Sequence, residues 1–155
     1  MPARARHWGK PLLLKKAERR HRLGTGDYAR LAAFRETLRG FLRFSEDAAA
    51  SVGLTSQHYQ AMLVLRAGAD GAPLAIHDLA RHLLIKHNSA VGLVDRLVRE
   101  GMVARVASAE DRRRVELRLT ARGRAVLAKL VGVHHRELAR IGPALEKLIA
   151  AVRRG

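Results

Sequence analysis

The sequence predicts a mainly α chain with one small β-hairpin: a helix-turn-helix followed by a wing, with amphipathic helices at the two ends. Three observations carry this expectation. Val91, Val94, Leu97 and Val98 recur at helical spacing. The pattern then changes to alternation in Val115, Leu117 and Leu119, as in a half-buried strand. Between the two stretches lie a glycine stop, Gly101, and the basic tip Ser108-Ala109-Glu110-Asp111-Arg112-Arg113-Arg114. Two linked helices followed by a basic hairpin are suited to gripping DNA, because one helix can enter the major groove while the hairpin reaches the neighbouring minor groove.

The elements follow in order. Residues 1–26 form a basic arm, with eight Lys or Arg against one Glu and with Gly24 and Gly26 at its end. Leu12, Leu13 and Leu14 give the arm an apolar cluster that can dock on the rest of the chain. A single domain is expected over 27–155. Its first helix, about 27–50, takes Asp27 as N-cap and puts Tyr28, Leu31, Phe34, Leu38, Phe41 and Leu42 on one face. Val52-Gly53-Leu54-Thr55 ends that helix, and Thr55 caps the next, which buries Tyr59, Met62 and Leu63. Gly68 to Pro73 is a loop. A short helix from about His77 to Leu83 precedes a longer one from about His87 to Glu100, stopped by Gly101 at the position where a left-handed backbone suits glycine. Strands run from about Val103 to Ala107 and Val115 to Leu119, and Thr120 caps a helix carrying Leu127, Leu130 and Val131. Gly142-Pro143 is expected to break or kink the C-terminal region, opening a last helix with Leu145, Leu148, Ile149 and Val152 on one side. The helix-turn-helix and wing then span about 54–120, flanked by helices over about 27–50 and 120–153. There is no internal repeat.

Composition narrows the function classes. The 155 residues, 48% of them hydrophobic, are enough for one domain with a real core. Thirty Lys and Arg against fourteen Asp and Glu give a formal net charge of +16, so the surface attracts polyanions, nucleic acid first and anionic membrane second. No stretch approaches the roughly 18 consecutive apolar residues of a membrane span. Three consecutive leucines near the N-terminus are too few for a signal-peptide core, so the expected location is cytoplasmic. The absence of cysteine removes disulfides, thiolate catalysis and thiol-based sensing together.

The chain resembles the MarR (multiple antibiotic resistance regulator) family of winged-helix transcription factors from about Asp27 to its end. The likeness is sharpest in Asp78-Leu79-Ala80, in Leu93-Val94-Asp95-Arg96-Leu97 followed by Gly101, and in Asp111-x-Arg113 with Leu119-Thr120-x-x-Gly123. It implies a winged helix-turn-helix, dimerising through N- and C-terminal helices, with two lobes meeting a palindromic site on double-stranded DNA. It also implies a small ligand, often aromatic or phenolic, in a cleft between the interface and the DNA lobe. Two positions depart from the family pattern. Lys86 stands where a small hydroxyl residue usually caps the recognition helix, and lysine cannot accept the orphan backbone hydrogen bonds. Asn88 is the replacement cap, moving the helix start by two residues. Leu84 lies where glycine is frequent.

Candidate site residues follow. A groove-inserted helix needs a buried stripe, here Ala90, Val94, Leu97 and Val98, opposite short polar residues. Lys86, His87, Asn88, Ser89, Val91 and Gly92 gather at the N-terminal end, where bases are met; Asn88 suits adenine, Val91 suits a thymine methyl, and Arg96 is placed for phosphate. In the wing, Arg112, Arg113 and Arg114 suit a narrow minor groove, which concentrates negative potential and which weakly hydrated arginine enters readily. The family resemblance gives Asp111 the role of holding Arg113 extended. Arg105 and Arg118 flank the wing. Phe34, Phe41 and Leu42 near one end, with Leu145, Leu148 and Ile149 near the other, offer more apolar surface than one small core can hide and form the expected homodimer interface.

The eight histidines do not make a metal site: His77, His82 and His87 are spaced by five, about 140° apart on a helix. His134 and Glu137 share a face, but a closed zinc site needs four ligands, and a polar helix surface or cleft edge is the expected setting. No cofactor is expected. Enzyme motifs are missing: there is no phosphate-binding glycine loop, no His-Glu-x-x-His and no Gly-x-Ser-x-Gly. The sequence reading is a DNA-binding regulator, with a nonspecific nucleoid-like DNA binder and a metal-responsive regulator as alternatives.

Overall fold

In the computed structural model, residues 24–68, 73–108 and 115–154 are described. Five helices and one hairpin appear in the order α1 (Thr25–Ala50), α2 (Ser56–Ala67), α3 (Ile76–Leu83), α4 (His87–Arg99), β1 (Val103–Ala107), β2 (Val115–Leu119) and α5 (Ala121–Arg154). The long α1 and α5 lie against each other, while α2, α3 and α4 pack together over the hairpin base. The largest fully buried side chains are Met62, Leu79, Leu97, Val94 and Val103, one or more from each of α2, α3, α4 and β1. Leu63 is only partly buried beside this core.

The start of α1 differs from the sequence expectation. Gly24, not Asp27, is the N-cap of α1. Asp27 sits at the third helical position, where its longer reach lets the carboxylate accept from the Gly24 N–H at 2.8 Å. Thr55 does cap α2, accepting from the His58 N–H at 3.3 Å. The first turn of α3 is closed by Asp78, which accepts from the Ala75 N–H at 3.3 Å.

The expected break at Gly142-Pro143 is absent, and α5 runs through Pro143 without interruption. Proline disfavours a helical residue before it mainly by clashing with that residue's Cβ, and Gly142 has none. The fixed proline φ is itself helical, so what remains is one missing backbone hydrogen bond and the crowding of the ring against the carbonyl one turn earlier.

The end of α4 and the start of α5 are built as one joint. Gly101, at φ 69°, donates to Val98 O and Met102 N–H donates to Leu97 O, both at 2.9 Å, which ends α4 in a left-handed cap. The chain then enters β1, pairs antiparallel with β2 from Val103↔Leu119 to Ala107↔Val115, and returns. Thr120 N–H donates to Met102 O at 3.0 Å, and the Thr120 hydroxyl donates to Gly101 O at 2.7 Å. The same hydroxyl accepts from the Gly123 N–H at 2.9 Å and so caps α5. A Cβ on Gly123 would stand 2.0 Å from Met102 O, so only glycine fits. Leu74 adds a single bridge to the outside of β2, its carbonyl accepting from Leu117 N–H at 2.8 Å.

Gly123→Ala should therefore destabilise the chain by about 1–3 kcal/mol, the usual range for forcing atoms into a closed contact. Urea unfolding checks this; a midpoint equal to wild type would mean the joint can open at no cost.

Candidate nucleic-acid interface

Helix α4 has two faces. Ala90, Leu93, Val94 and Leu97 are buried against the core. Lys86, His87, Asn88, Ser89 and Gly92 are exposed at its N-terminal end, Val91 is half-buried at its flank, and Arg96 is exposed further along. Six of the sequence-derived residues, Lys86, His87, Asn88, Ser89, Val91 and Gly92, are thus brought together at one end of one helix, and Arg96 lies further along.

The helix starts at His87, with Lys86 as an N-cap of extended backbone and no side-chain hydrogen bond. Asn88 therefore does not cap α4, contrary to expectation. The first turn closes on the Lys86 carbonyl, which accepts from Ala90 N–H at 3.1 Å, and this fixes the start without help from a side chain. The amide of Asn88 is left pointing from the first turn, and the positive end of the helix dipole meets solvent there.

The turn leading into α4 is made by Leu84, at φ 55° and ψ 39°. It keeps the left-handed geometry that glycine would supply, with Leu83 and Ile85 on either side packed against the core. Below it, Asp78 anchors α3. Burial alone would raise its pKa, but hydrogen bonds from Arg81 and the Ala75 N–H, with the charges of His77 and Arg81, hold the carboxyl below its ordinary value.

The hairpin is tied to α4 by an ion pair that no sequence rule singles out. Arg105 in β1 donates to Asp95 Oδ1 in α4 at 2.6 Å. Arg105 shares the face of Leu117, which is buried toward the core. It braces the wing against α4, beyond the flanking role the sequence suggested. Arg96 is likewise engaged, its Nε donating to Glu100 Oε1 at 3.0 Å. Arg118 pairs with Glu116 at 3.2 Å. The tip residues Asp111, Arg112, Arg113 and Arg114 lie outside the described residues, as does the arm over residues 1–23.

Two histidines have structural roles that the sequence did not reveal. His58 accepts the Thr55 N–H on Nδ1 at 3.1 Å, completing a reciprocal cap at the start of α2. Burial and then the charge of Arg96 push its pKa below the ordinary value, against the opposing pull of Glu100. His134, expected on a polar helix surface or a cleft edge, is buried. It stacks on Tyr59 of α2 at 4.3 Å between ring centroids and meets the edges of Phe41 and Phe44 of α1. Its Nδ1 donates to Leu130 O at 2.7 Å, and its Nε2 is 2.9 Å from the Ser45 hydroxyl. The aromatic surroundings come from two other helices, α1 and α2, which is why helical spacing on α5 alone misplaced it.

Along the terminal helices, Phe34, Phe41, Leu145 and Leu148 are half-buried, and Leu42 and Ile149 are exposed. Tyr28, Leu31, Leu38, Leu138 and Val152 add to the exposed apolar surface of α1 and α5. No helix among the described residues is long and apolar enough to cross a membrane.

A histidine whose folded-state pKa lies below its unfolded value stabilises the fold above the ordinary imidazole range, and that contribution is lost as pH falls through the folded value. His58→Ala should accordingly unfold more easily than wild type at neutral pH and lose less further stability between about pH 7 and pH 5. Thermal melts across that range test this; parallel pH profiles for the two proteins would contradict the role of His58 as a neutral cap.

Comparison with known proteins places this architecture. The sequence profile of the MarR family matches residues 52–114, the stretch from the end of α1 to the wing. The transcriptional activatory protein BadR of Rhodopseudomonas palustris is 34% identical over 74 residues, which cover 48% of this chain and 42% of that protein. The HTH-type transcriptional regulator FarR of Neisseria gonorrhoeae is 34% identical over 70 residues, 45% of this chain and 46% of that protein. The match therefore spans less than half the length of these two relatives. Among solved structures, MepR, a transcription regulator of the Staphylococcus aureus multidrug efflux pump MepA, superposes with a TM-score of 0.69 at 18% identity, over 82% of this chain and 94% of that one. A variant of MepR has been solved bound to an oligodeoxyribonucleotide.

Proposed function

We propose that this chain, whose residues 52–114 match the MarR family profile, is a DNA-binding transcriptional regulator that holds a pseudo-palindromic promoter site as a homodimer and acts as a ligand-responsive repressor. The observation that carries this reading is α4, with four buried apolar residues on one face and Lys86, His87, Asn88, Ser89 and Gly92 exposed at its leading end. Such a helix can lie in a major groove with Asn88 against adenine and Val91 against a thymine methyl. That a MepR variant of similar fold was solved bound to an oligodeoxyribonucleotide supports DNA as the partner.

The remaining parts take these roles. The unit over about 54–120 reads DNA, with Arg112, Arg113 and Arg114 in the flanking minor groove and Asp111 orienting Arg113. The helices over about 27–50 and 120–153 form the two-fold interface through Phe34, Phe41, Leu42, Leu145, Leu148 and Ile149. A dimer seated on a promoter represses by excluding polymerase; BadR is named an activator, so site position decides the sign in a given case. The effector is a small aromatic or phenolic molecule bound between the interface helices and the DNA lobe. The arm over residues 1–26 adds affinity without sequence preference through phosphate contacts.

One observation favours a second reading. A net charge of +16 is more than a sequence reader needs, and it suits a nonspecific nucleoid-like binder. Footprinting at physiological salt separates the two, because only a specific regulator protects a defined pair of half-sites. Affinity for the protected site should fall by about 10³–10⁵ between about 50 and 200 mM salt, as for six to ten phosphates neutralised. An affinity that ignores salt would sink both DNA readings. Sedimentation should give a dimer at micromolar concentration, and Leu148→Asp should shift it toward monomer, since a carboxylate in an apolar seam has no partner. A stable wild-type monomer would overturn the interface assignment.

A further inference from the structure

Leu84 stands out in the turn between α3 and α4. It is the one non-glycine residue with positive φ among the described residues. Glycine adopts that conformation without strain, whereas a leucine Cβ crowds the following carbonyl. The side chain gains nothing from the rest of the chain in return, since it is 85% exposed, the most exposed of the large apolar side chains described. Leu83 and Ile85 on either side both pack toward the core. Neither backbone geometry nor internal packing therefore accounts for a leucine at this position.

Its surroundings identify what does. Arg81 and His82 precede it and Lys86, His87 and Asn88 follow it, all exposed. Asp78, the acidic residue nearest in sequence, is held by Arg81 at 2.5 Å. An aliphatic tip set in a cationic surface, two residues before the N-cap of α4, suits neither an apolar protein groove nor a neutral surface. It suits duplex DNA, where phosphates meet the cations and the groove offers one apolar group, the C5 methyl of thymine.

We propose that Leu84 is a specificity-determining residue whose side chain packs on a thymine methyl at the mouth of the major groove entered by α4. This rests on the DNA-binding reading above and adds a base preference that the polar residues of α4 do not supply. The strained turn is retained because it carries an apolar contact outward that glycine would forfeit.

The test uses the full-length protein on the DNA fragment it protects in footprinting. Thymines in each half-site are replaced in turn by deoxyuridine, which removes only the methyl group. At one symmetry-related pair of positions, wild type should lose about fourfold in affinity per half-site, the equivalent of one buried methyl. Leu84→Gly should lose as much on the unmodified site, be indifferent to deoxyuridine there, and melt at a higher temperature than wild type because the strain is gone. Leu84→Ala should share the affinity loss while keeping the left-handed strain. If Leu84→Gly binds as wild type does and remains equally sensitive to deoxyuridine, the assignment is overturned while the DNA reading stands. If wild type protects no site at all, both fall.

Discussion

The carbonyl of Met102 lies where α4, the hairpin and α5 meet, and the arrangement of all three depends on what surrounds it. It accepts from Thr120 N–H, it lies over a glycine that has no Cβ, and its own residue's N–H closes the end of α4 on Leu97. The first strand pair, Val103↔Leu119, is the next step outward from this joint, so the register of the hairpin follows from it. The Thr120 hydroxyl works on both sides, donating to the end of α4 and accepting from the start of α5. The end of α4 and the start of α5 thus share one backbone joint.

Electrostatics on this chain positions more than it stabilises. Arg30, Arg81, Arg96, Arg105, Arg118 and Arg140 each pair with an acid on or near the surface. Exposed pairs of this kind contribute about 0–1 kcal/mol each, too little to hold a fold. Their effect is to fix where arginines point, most plainly at Arg105, which is turned toward Asp95 of α4. The cations beyond these pairs leave the long-range field positive, while the recognition end of α4 is kept to short and mostly uncharged side chains. Attraction and discrimination are thereby assigned to different residues.

Much of the architecture was legible because it rests on local rules. The change from helical to alternating periodicity located α4 and both strands, Gly101 marked a left-handed cap, and Thr55 and Thr120 marked two helix starts. What escaped was either non-local or a competition between local rules. Asp95 and Arg105 are ten residues apart on different elements, and Ser45 meets His134 across 89 residues, so no periodicity announces either contact. Leu74 joins β2 by a single bridge, too short a stretch to show alternation. At Lys86 the absence of a capping side chain suggested a later helix start, yet the backbone turn closed without one. At Pro143 the helix-breaking rule lost, and the preceding glycine removes one of the clashes on which that rule depends.

The burial of His134 gives α5 a fulcrum. At 34 residues the helix is about 51 Å long, and His134 divides it into arms of about 20 Å and 30 Å at 1.5 Å per residue. The imidazole is held from α1 by Ser45 and from α2 by the face of Tyr59, at the root of the shorter arm, whose far end is bonded to the end of α4 through Thr120. A tilt of only about 5° there displaces the far end of a 20 Å arm by about 2 Å, more than a base-edge hydrogen bond tolerates. By leverage alone, a rearrangement of that one ring stack would carry the start of α5, and the end of α4 bonded to it, through such a distance.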